Sequence, residues 1–356
     1  MRIGVPRETK TLEGRGALVP AAAGDLVKRG HEVWLEKDAG VRSGYSDADY
    51  EALGVGIAPD AAALYGKAQM IVKVKEPIAG DLEHLRADHL LFCYLHLAAD
   101  PGLARRLLGI GLTGVAFETV ELPNGDLPLL APMSVIAGRI AVQVGTHLLH
   151  LPMGGKGTLL GGLPSTGRGN VVVFGAGRAG GAAAAAAAAG GANVTVFEMR
   201  TDRMDEMMRL GNNVTALYPY HDAVARAVAD ADLVIGAVLV TGARAPKVLG
   251  RAALAGMERG GVLVDIAIDQ GGCFETSRPT TWEQPTYVEE GVTHFCVTNM
   301  PGAVPRTASQ AISAAILPWV DRLAADDDWQ ADAALAKGVN VADGRLVHPA
   351  LREIGL

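Results

Sequence analysis

Three glycines with a spacing suited to binding a pyrophosphate lie near the middle of the chain. Gly175, Gly177 and Gly180 form G-x-G-x-x-G in the stretch FGAGRAGGAAAAAAAAGG, residues 174–191. The first glycine permits a tight turn, the second lets the backbone approach a pyrophosphate, and the third lets the next helix pack against the preceding strand. The helix N-terminus also favours a phosphate through its free N–H groups and its dipole. The pattern predicts a dinucleotide-binding turn.

An acidic residue follows at the end of the next apolar stretch. Glu198 stands about 20 positions beyond the turn, where a carboxylate binds the ribose hydroxyls of NAD. Because a carboxylate there repels the 2′-phosphate of NADP, the expected cofactor is NAD. Arg200 and Arg203 are close enough in sequence to bind such a phosphate, so NADP stays open as the alternative.

A lysine at the end of an apolar stretch is a candidate for substrate binding. The segment MIVKVKEP, residues 70–77, is interpreted as a strand that ends at Pro77. Alternation along a strand puts Lys73 and Lys75 on one face, and Lys75 at the carboxyl end of the strand. Ligands bind at the carboxyl ends of the strands in open parallel sheets. Taken alone, a lysine in that position is more often solvated.

Two further candidates are a histidine and an arginine. His96 ends the apolar run LLFCYLH, residues 90–96, and histidine exchanges a proton near neutral pH. Cys93 precedes it by three positions, but C-x-x-H without further ligands does not predict a metal. Arg15 lies in the loop KTLEGRGALVP and could hold a carboxylate through two charge-assisted hydrogen bonds. By itself, an arginine in such a loop is expected to be a solvent-exposed surface residue.

The stretch GGVLVDIAIDQGGCFE contains two candidate carboxylates. Asp265 lies inside the apolar run, whereas Asp269 follows it and precedes two glycines. We therefore favour Asp269 as the residue available at a loop, with Asp265 as the alternative and an Asx turn as the ordinary structural role.

The elements that position these residues belong to an α/β fold with mainly parallel sheets. Short apolar runs alternate with helical stretches from the N-terminus to about residue 120, and again from about residue 170 to 299. A proline-containing break at 128–132 precedes a long helix, for which Ser134 is the predicted N-cap. A second long helical stretch follows the turn after Asn299. These boundaries predict that a dinucleotide-binding domain, residues 134–304, is inserted into a discontinuous substrate domain, residues 1–133 and 305–356.

Composition excludes several other classes of protein. The 356 residues are 49% hydrophobic and 20% charged, with 45 glycines, which is typical of a compact two-domain α/β protein. The net charge of −7 and the lack of a basic run argue against nucleic-acid binding. The sequence contains no uncharged run of about 18 apolar residues, so it does not predict a membrane helix. The three cysteines form no evident disulfide framework, so a cytoplasmic location is expected.

Together these residues resemble the alanine dehydrogenase/nicotinamide nucleotide transhydrogenase family. The resemblance covers nearly the whole chain and is carried by the following motifs: MRIGVPRETKTLEGR, VKVKEP, YLHLAAD, FETVE, LLAPMS, ADLVIGAVLVTGARAPKV, LVDIAIDQGGCFETSRPTT, TNMPGAVPRTA and ALAKGVN. It implies two Rossmann-like domains and reversible NAD-dependent oxidative deamination of L-alanine to pyruvate and ammonium. It also implies a homohexamer.

The resemblance assigns roles to individual positions. It places substrate binding on Arg15 and Lys75, and catalysis on His96 and Asp269. The implied cofactor contacts, besides the glycine turn, are Ser134, Glu198, Arg203, Val238, Leu239, Ile266, Ala267, Ile268, Asp269, Arg278, Val297, Thr298, Asn299 and Met300. Glu198 and Arg203 match the family in charge, since aspartate and lysine usually occupy those positions.

Several positions depart from the family pattern and leave other functions open. Val135 replaces a usual glutamate, Gly16 replaces an apolar residue and is expected to loosen Arg15, and YPYH at 218–221 lacks a serine that meets the adenosine side of the cofactor. The alternatives are a dehydrogenase or imine reductase for another small amino or 2-oxo acid, and a transhydrogenase-like module that presents NAD(H) to a partner.

Overall fold

The computed structural model describes residues 1–238, 245–325 and 328–351. The chain forms two compact units, the first from Met1–Met133 with Gly302–Leu356 and the second from Ser134–Pro301. Among the described residues, no helix is both long enough and apolar enough to cross a membrane.

The strands and helices alternate along most of the chain. The strands are β1 (Arg2–Val5), β2 (Glu32–Glu36), β3 (Gly56–Ala58), β4 (Met70–Val72), β5 (Leu90–Cys93), β6 (Thr113–Ala116), β7 (Asn170–Phe174), β8 (Asn193–Phe197), β9 (Val214–Leu217), β10 (Leu233–Gly236), β11 (Val262–Asp265), β12 (Thr286–Glu289), β13 (Val292–Phe295), β14 (Val339–Ala342) and β15 (Arg345–Leu346). The helices are α1 (Pro20–Lys28), α2 (Asp47–Glu51), α3 (Ala61–Lys67), α4 (Ala79–Leu82), α5 (Pro101–Ile110), α6 (Ala131–Leu148), α7 (Arg178–Ala189), α8 (Thr201–Met208), α9 (His221–Ala229), α10 (Arg251–Leu254), α11 (Pro305–Ala325) and α12 (Ala333–Gly338).

The first unit contains one eight-stranded sheet. Its order is β15-β14-β6-β5-β4-β1-β2-β3, and strands β1 to β6 all run parallel. β14 joins antiparallel to β6, and β15 pairs antiparallel with β14. The six parallel strands therefore have the doubly wound order 3-2-1-4-5-6, with the reversal of direction between β1 and β4.

The second unit repeats this topology. Its seven-stranded sheet has the order β12-β13-β11-β10-β7-β8-β9, and every pair is parallel except the hairpin of β12 with β13. Within the parallel part, the order again reverses beside the first strand, here between β7 and β10. The predicted α/β fold class with two mainly parallel sheets is confirmed.

Alanine-rich α7 packs unusually close to its neighbours in the second unit. Four of its alanines, at positions 183, 184, 187 and 188, are buried. A Cβ added to Gly138 of α6 would lie 2.1 Å from the carbonyl oxygen of Ala179. A bulky residue could not be accommodated at such a contact, so the small residues serve packing.

Some sequence-based boundaries are wrong. The strand predicted over 70–77 ends at Val72, because the backbone after it turns to meet the buried side chain of Glu8. Ser134 is not the N-cap of α6, since that helix already begins at Ala131. The sequence did not predict the short strands β3 and β9, or the hairpins of β12 with β13 and β14 with β15, because their residues show no clear apolar alternation.

Candidate active site

The substrate-side candidates follow the carboxyl ends of neighbouring strands in the first unit. Lys75 follows β4, and His96 follows β5. Glu118 follows β6, in a short 3-10 turn at Phe117–Thr119. Since the strands are parallel, these loops lie at the same edge of the sheet, which is formed by the carboxyl ends of the strands. The strand order reverses between β1 and β4, and ligands bind at that edge beside such a reversal.

Arg15 is a buried residue, which corrects the expectation of a solvent-exposed surface arginine. Its side chain is 3% exposed and that of Glu13 is 1% exposed. The guanidinium donates to the Glu13 carboxylate from Nε at 2.7 Å and from Nη2 at 2.5 Å. Burial opposes the charged guanidinium, but the Glu13 carboxylate outweighs it and raises the pKa of Arg15. The guanidinium is therefore a permanent, oriented cation.

Gly16 does not deprive Arg15 of a fixed position. The Arg15 N–H also donates to Glu13 at 3.0 Å, and the Gly16 N–H donates to the Ser309 hydroxyl at 2.9 Å. A Cβ at Gly16 would meet nothing closer than 3.9 Å. The expected loosening of Arg15 is therefore wrong, because Glu13 rather than the side chain at position 16 holds the arginine.

Lys73 belongs to a buried ionic cluster, and it does not share a strand face with Lys75, because β4 ends at Val72. Its ammonium lies 3.4 Å from a carboxylate oxygen of Glu8 and 3.3 Å from one of Asp81, and its side chain is 1% exposed. Burial works against the charge, but the two carboxylates prevail and raise the pKa of Lys73. The Tyr65 hydroxyl donates at 2.8 Å to Asp81 Oδ1, the same oxygen that lies 3.3 Å from the Lys73 ammonium.

Lys75 is held through its backbone. The N–H groups of Val74 and Lys75 donate to one oxygen of Glu8, at 2.7 Å and 3.2 Å. The Lys75 side chain is half-buried, and its ammonium has no hydrogen-bond or ion-pair partner within residues 1–238, 245–325 and 328–351. A cation with a fixed backbone and no internal partner can bind an anionic or carbonyl oxygen.

His96 presents an accessible imidazole on a constrained loop. Its side chain is 44% exposed, with Nδ1 at 3.8 Å from Glu118 Oε1. Its backbone has φ of +47°, an uncommon value for a residue other than glycine. The ring stacks on Tyr94 at 5.6 Å between centroids and 7° between planes. The arrangement offers an oriented group for proton transfer.

Sequence reasoning missed the residues that support these three candidates. Glu8, Glu13, Tyr94 and Glu118 each contact a candidate side chain or its backbone. Glu8 and Glu13 lie in the polar segment after β1, whose composition resembles that of a solvated loop. One available signal was the spacing of Glu13 and Arg15, two charges of opposite sign beside an apolar helix start.

In the second unit, the glycine turn has the geometry that its sequence predicted. Gly175 has φ of +89°, and a Cβ there would lie 2.9 Å from the carbonyl oxygen of Ala237. A Cβ at Gly180 would lie 1.8 Å from the carbonyl oxygen of Gly175. Gly177 is the N-cap of α7, and a Cβ there would have one neighbour within 4 Å, Arg203 Nη1 at 3.7 Å. The turn thus leaves its backbone open for a ligand at Gly177.

Glu198 and Arg203 border this turn. The Glu198 carboxylate accepts the N–H of Ala176 at 2.8 Å and those of Met199 and Arg200 at 2.8 Å and 3.1 Å. Arg200 pairs with Asp202 at 2.5 Å. Arg203 makes no hydrogen bond or ion pair through its guanidinium in the described part of the chain. A carboxylate therefore contacts Ala176, and a cation lies close to Gly177.

Asp265 and Asp269 have different environments. Asp265 is fully buried and accepts from the Ser277 hydroxyl at 2.5 Å and from the N–H of Cys273 at 2.9 Å. Burial raises the pKa of its carboxyl despite these bonds. Asp269 is exposed, in the 3-10 turn Ile266–Gln270 that follows β11. Asp265 therefore anchors the loop, and Asp269 is accessible to a ligand.

The other positions implied for the cofactor also follow carboxyl ends of strands in the second sheet. Val238 follows β10, Ile266, Ala267 and Ile268 follow β11, and Val297, Thr298, Asn299 and Met300 follow β13. Arg278 is exposed, with its guanidinium 3.9 Å from the Tyr287 ring centroid. Ser134 and Val135 are half-buried in the first turn of α6. Leu239 lies outside the described residues.

The segment that departs from the family pattern at 218–221 follows β9 at the same edge. Tyr218 and Tyr220 are 46% and 69% exposed, and their rings lie 4.9 Å apart. Two exposed aromatic rings therefore occupy the place where the resemblance implies a serine.

Two doubly wound sheets, one of them carrying a glycine-rich dinucleotide turn, define a Rossmann-type α/β protein. Comparison with known proteins identifies its family. The model of the alanine dehydrogenase/PNT N-terminal domain matches residues 4–137, and that of the C-terminal domain matches residues 141–349. The chain belongs to the alanine dehydrogenase/PNT family, which confirms the resemblance inferred from the sequence.

Individual relatives match over nearly their full length. The chain is 49% identical to an alanine dehydrogenase of Halomonas elongata, covering 99% of this chain and 96% of the relative. It is 46% identical to one of Mycobacterium tuberculosis, covering 98% and 95%. A solved structure of an L-alanine dehydrogenase superposes with a TM-score of 0.96 at 47% identity, covering 99% of both chains. A transhydrogenase from Sinorhizobium meliloti, at 24% identity and a TM-score of 0.85, shares the fold over 98% of this chain and 100% of its own.

Proposed function

We propose that the chain is an NAD-dependent alanine dehydrogenase, which interconverts L-alanine with pyruvate and ammonium. The observation that carries the proposal is the similarity to alanine dehydrogenases along the whole chain, at up to 49% identity among the relatives described above. The side chains at the edge of the first sheet suit this chemistry, since they include two cations and an accessible imidazole. The dehydrogenase is therefore favoured over a module that only presents a cofactor.

The residues around the glycine turn of the second unit are compatible with binding of NAD. Gly177 leaves open backbone at the start of α7, and phosphate groups bind there through free N–H groups and the helix dipole. Glu198, after β8, suits the ribose hydroxyls, and Arg203, beside Gly177, suits a phosphate. NAD, when bound, accepts a hydride from the substrate carbon or, as NADH, returns it.

Arg15 and Lys75 bind the substrate in this proposal. The Arg15 cation is buried and oriented by Glu13, so it can hold the substrate carboxylate without losing freedom on binding. The Lys75 ammonium, whose backbone is held by Glu8, polarises the carbonyl oxygen of pyruvate. Together the two cations orient the 2-oxo acid by both of its oxygen-bearing groups.

His96 and Asp269 handle protons. When ammonia adds to the carbonyl carbon, His96 gives a proton to the carbonyl oxygen and later assists its departure as water. In the oxidative direction it takes the proton back as water adds to the imine. Asp269, which is exposed after β11, activates the water and the amino group. A homohexamer and a cytoplasmic location stay predictions from the family resemblance and from composition.

The proposal is tested by following the loss of NADH absorbance with purified protein, pyruvate and ammonium. Glyoxylate and 2-oxobutyrate with ammonium are run beside pyruvate, since they identify a dehydrogenase for another 2-oxo acid. We expect the highest kcat/KM with pyruvate, and no loss when ammonium is omitted. Absence of any pyruvate-dependent loss would exclude the alanine assignment.

The Glu198 carboxylate predicts a preference for NADH over NADPH. Replacing Glu198 with glutamine should raise kcat/KM for NADPH relative to NADH by about tenfold, equivalent to removing about 1.4 kcal/mol of like-charge repulsion. Both coenzymes are titrated at fixed pyruvate and ammonium. Glu206→Gln, an exposed glutamate on α8, is the control and should leave the ratio unchanged. A wild-type preference for NADPH would overturn this interpretation of Glu198.

A further inference from the structure

We propose that Glu118 is a positioning residue for His96, which builds on the proposed function by naming what fixes its proton-transfer group. Glu118 comes after β6 and His96 after β5, so the two residues follow adjacent parallel strands. The Glu118 side chain is 15% exposed and is directed at the loop that carries His96.

The carboxylate of Glu118 organises the backbone of that loop. It accepts the His96 N–H at 2.6 Å, and both of its oxygens lie 3.2 Å from the Leu95 N. A charged acceptor makes shorter and stronger hydrogen bonds to N–H groups than a neutral one does. Glu118 therefore binds two consecutive amides directly at the catalytic candidate.

These bonds hold His96 in a conformation that its own side chain disfavours. With φ of +47° the residue lies in the left-handed region, where a Cβ crowds the following carbonyl group. Strained residues persist only where surrounding contacts determine them, and such residues cluster at functional sites. Loss of the carboxylate should therefore let the loop relax and move the imidazole.

The Glu118 carboxylate also lies close to the imidazole ring of His96. Oε1 lies 3.8 Å from Nδ1 of His96, so an imidazolium formed when the ring takes up a proton faces a negative charge. The ring also stacks on Tyr94, whose hydroxyl donates to the Leu129 carbonyl at 2.6 Å. Glu118 fixes the main chain, and Tyr94 limits the rotation of the ring.

Glu118 itself rests on a rigid support. The hydroxyl of its neighbour Thr119 lies 3.2 Å from the carbonyl oxygen of Gly338 and 2.9 Å from Asn340 Oδ1, two acceptors for its single proton. Gly338 ends α12 and Asn340 belongs to β14, which pairs with β6. The turn that carries Glu118 is therefore tied to the sheet, and it can impose a geometry on the His96 loop.

The test compares three variants of the full chain in the pyruvate, ammonium and NADH assay. Glu118→Ala should lower kcat by about 10- to 100-fold, as expected when a catalytic group is misplaced by about 1 Å. KM for pyruvate should change by less than about threefold, because Arg15 and Lys75 keep their contacts. Glu118→Gln keeps one oxygen for the two N–H groups and should recover at least about fivefold of the lost kcat. Glu121→Ala is the matched control, since Glu121 lies on the same segment and pairs with Lys337 at 2.7 Å.

Two further results separate positioning from general damage to the fold. In a His96→Ala background, Glu118→Ala should lower kcat by less than about threefold more, because a residue that acts through His96 has nothing left to position. A crystal structure of Glu118→Ala should show His96 outside the left-handed region. An equal loss in both backgrounds, or an unchanged His96 φ, would overturn the inference. A wild-type protein inactive with pyruvate would instead refute the proposed function, and the crystal structure would still decide the role of Glu118.

Discussion

Replacing His96 with alanine is expected to lower kcat for the reaction of pyruvate, ammonium and NADH by about 100- to 10,000-fold, the usual contribution of general acid–base catalysis. The carbonyl oxygen of pyruvate must gain a proton as ammonia adds and must leave as water, and His96 offers an exposed imidazole on an ordered loop. KM for NADH should stay within about threefold, since that cofactor is assigned to the second unit. Steady-state kinetics at saturating ammonium measure both values.

A second histidine provides the control for this experiment. His150 is exposed, and its ring contacts that of His147 at 5.8 Å between centroids. His150→Ala should keep kcat within about twofold of the wild type, as surface substitutions commonly do. If His96→Ala retained near-wild-type turnover, the acid–base role would have to pass to another group.

The fold could be predicted from sequence because it depends on local patterns. Apolar runs such as VVVF at 171–174 and LVIG at 233–236 are long enough, and well enough bounded, to indicate central parallel strands. Their alternation with helical stretches is enough to indicate a parallel sheet. Edge strands escaped prediction because they are short and partly polar: in β9, Thr215 and Leu217 are exposed. β12 likewise has no apolar run, because it is partly exposed along its length and leads into a charged turn.

The accessible side chains of the candidate site could be predicted, whereas their supports could not. Lys75, His96 and Asp269 follow strand ends, and that position is readable from sequence. Glu8 and Lys73, by contrast, are partners only because β1 and β4 are neighbours in the sheet. A charge pairing between distant segments leaves no local spacing to detect, so a buried pair resembles two solvated residues until the strand order is known.

The exposure of Arg15 was predicted wrongly from its local sequence, although the residue itself was chosen as a candidate for substrate binding. A polar loop with glycines on both sides of an arginine is typical of an exposed turn. Here Glu13 neutralises the charge two positions away, and the pair is buried together. Charged residues are almost never fully buried without a partner, so the burial of Arg15 follows from Glu13 rather than from the loop itself.

Replacing Lys73 with methionine is expected to lower the free energy of unfolding by about 3–5 kcal/mol, the usual cost of removing one partner from a buried ionic group. Methionine fills a similar space, but it leaves the carboxylates of Glu8 and Asp81 without the ammonium that lies 3.4 Å and 3.3 Å away. Urea unfolding of the variant and the wild type measures the difference. Lys28→Met is the control, because Lys28 is 73% exposed and its pair with Asp25 is a surface pair worth about 0–1 kcal/mol.

The deficit caused by Lys73→Met should also depend on pH. Burial raises the pKa of Glu8 in the folded protein, and the Lys73 ammonium opposes that shift. Without Lys73 the pKa rises further, so the folded variant holds a proton on Glu8 more tightly than its unfolded chain does. The tighter binding of this proton stabilises the folded variant at low pH. That contribution is lost as the pH rises through the folded-state pKa of Glu8. The loss of unfolding free energy caused by Lys73→Met should therefore be larger at about pH 8 than at about pH 5. A loss that becomes smaller as the pH rises would show that Lys73 does not neutralise Glu8.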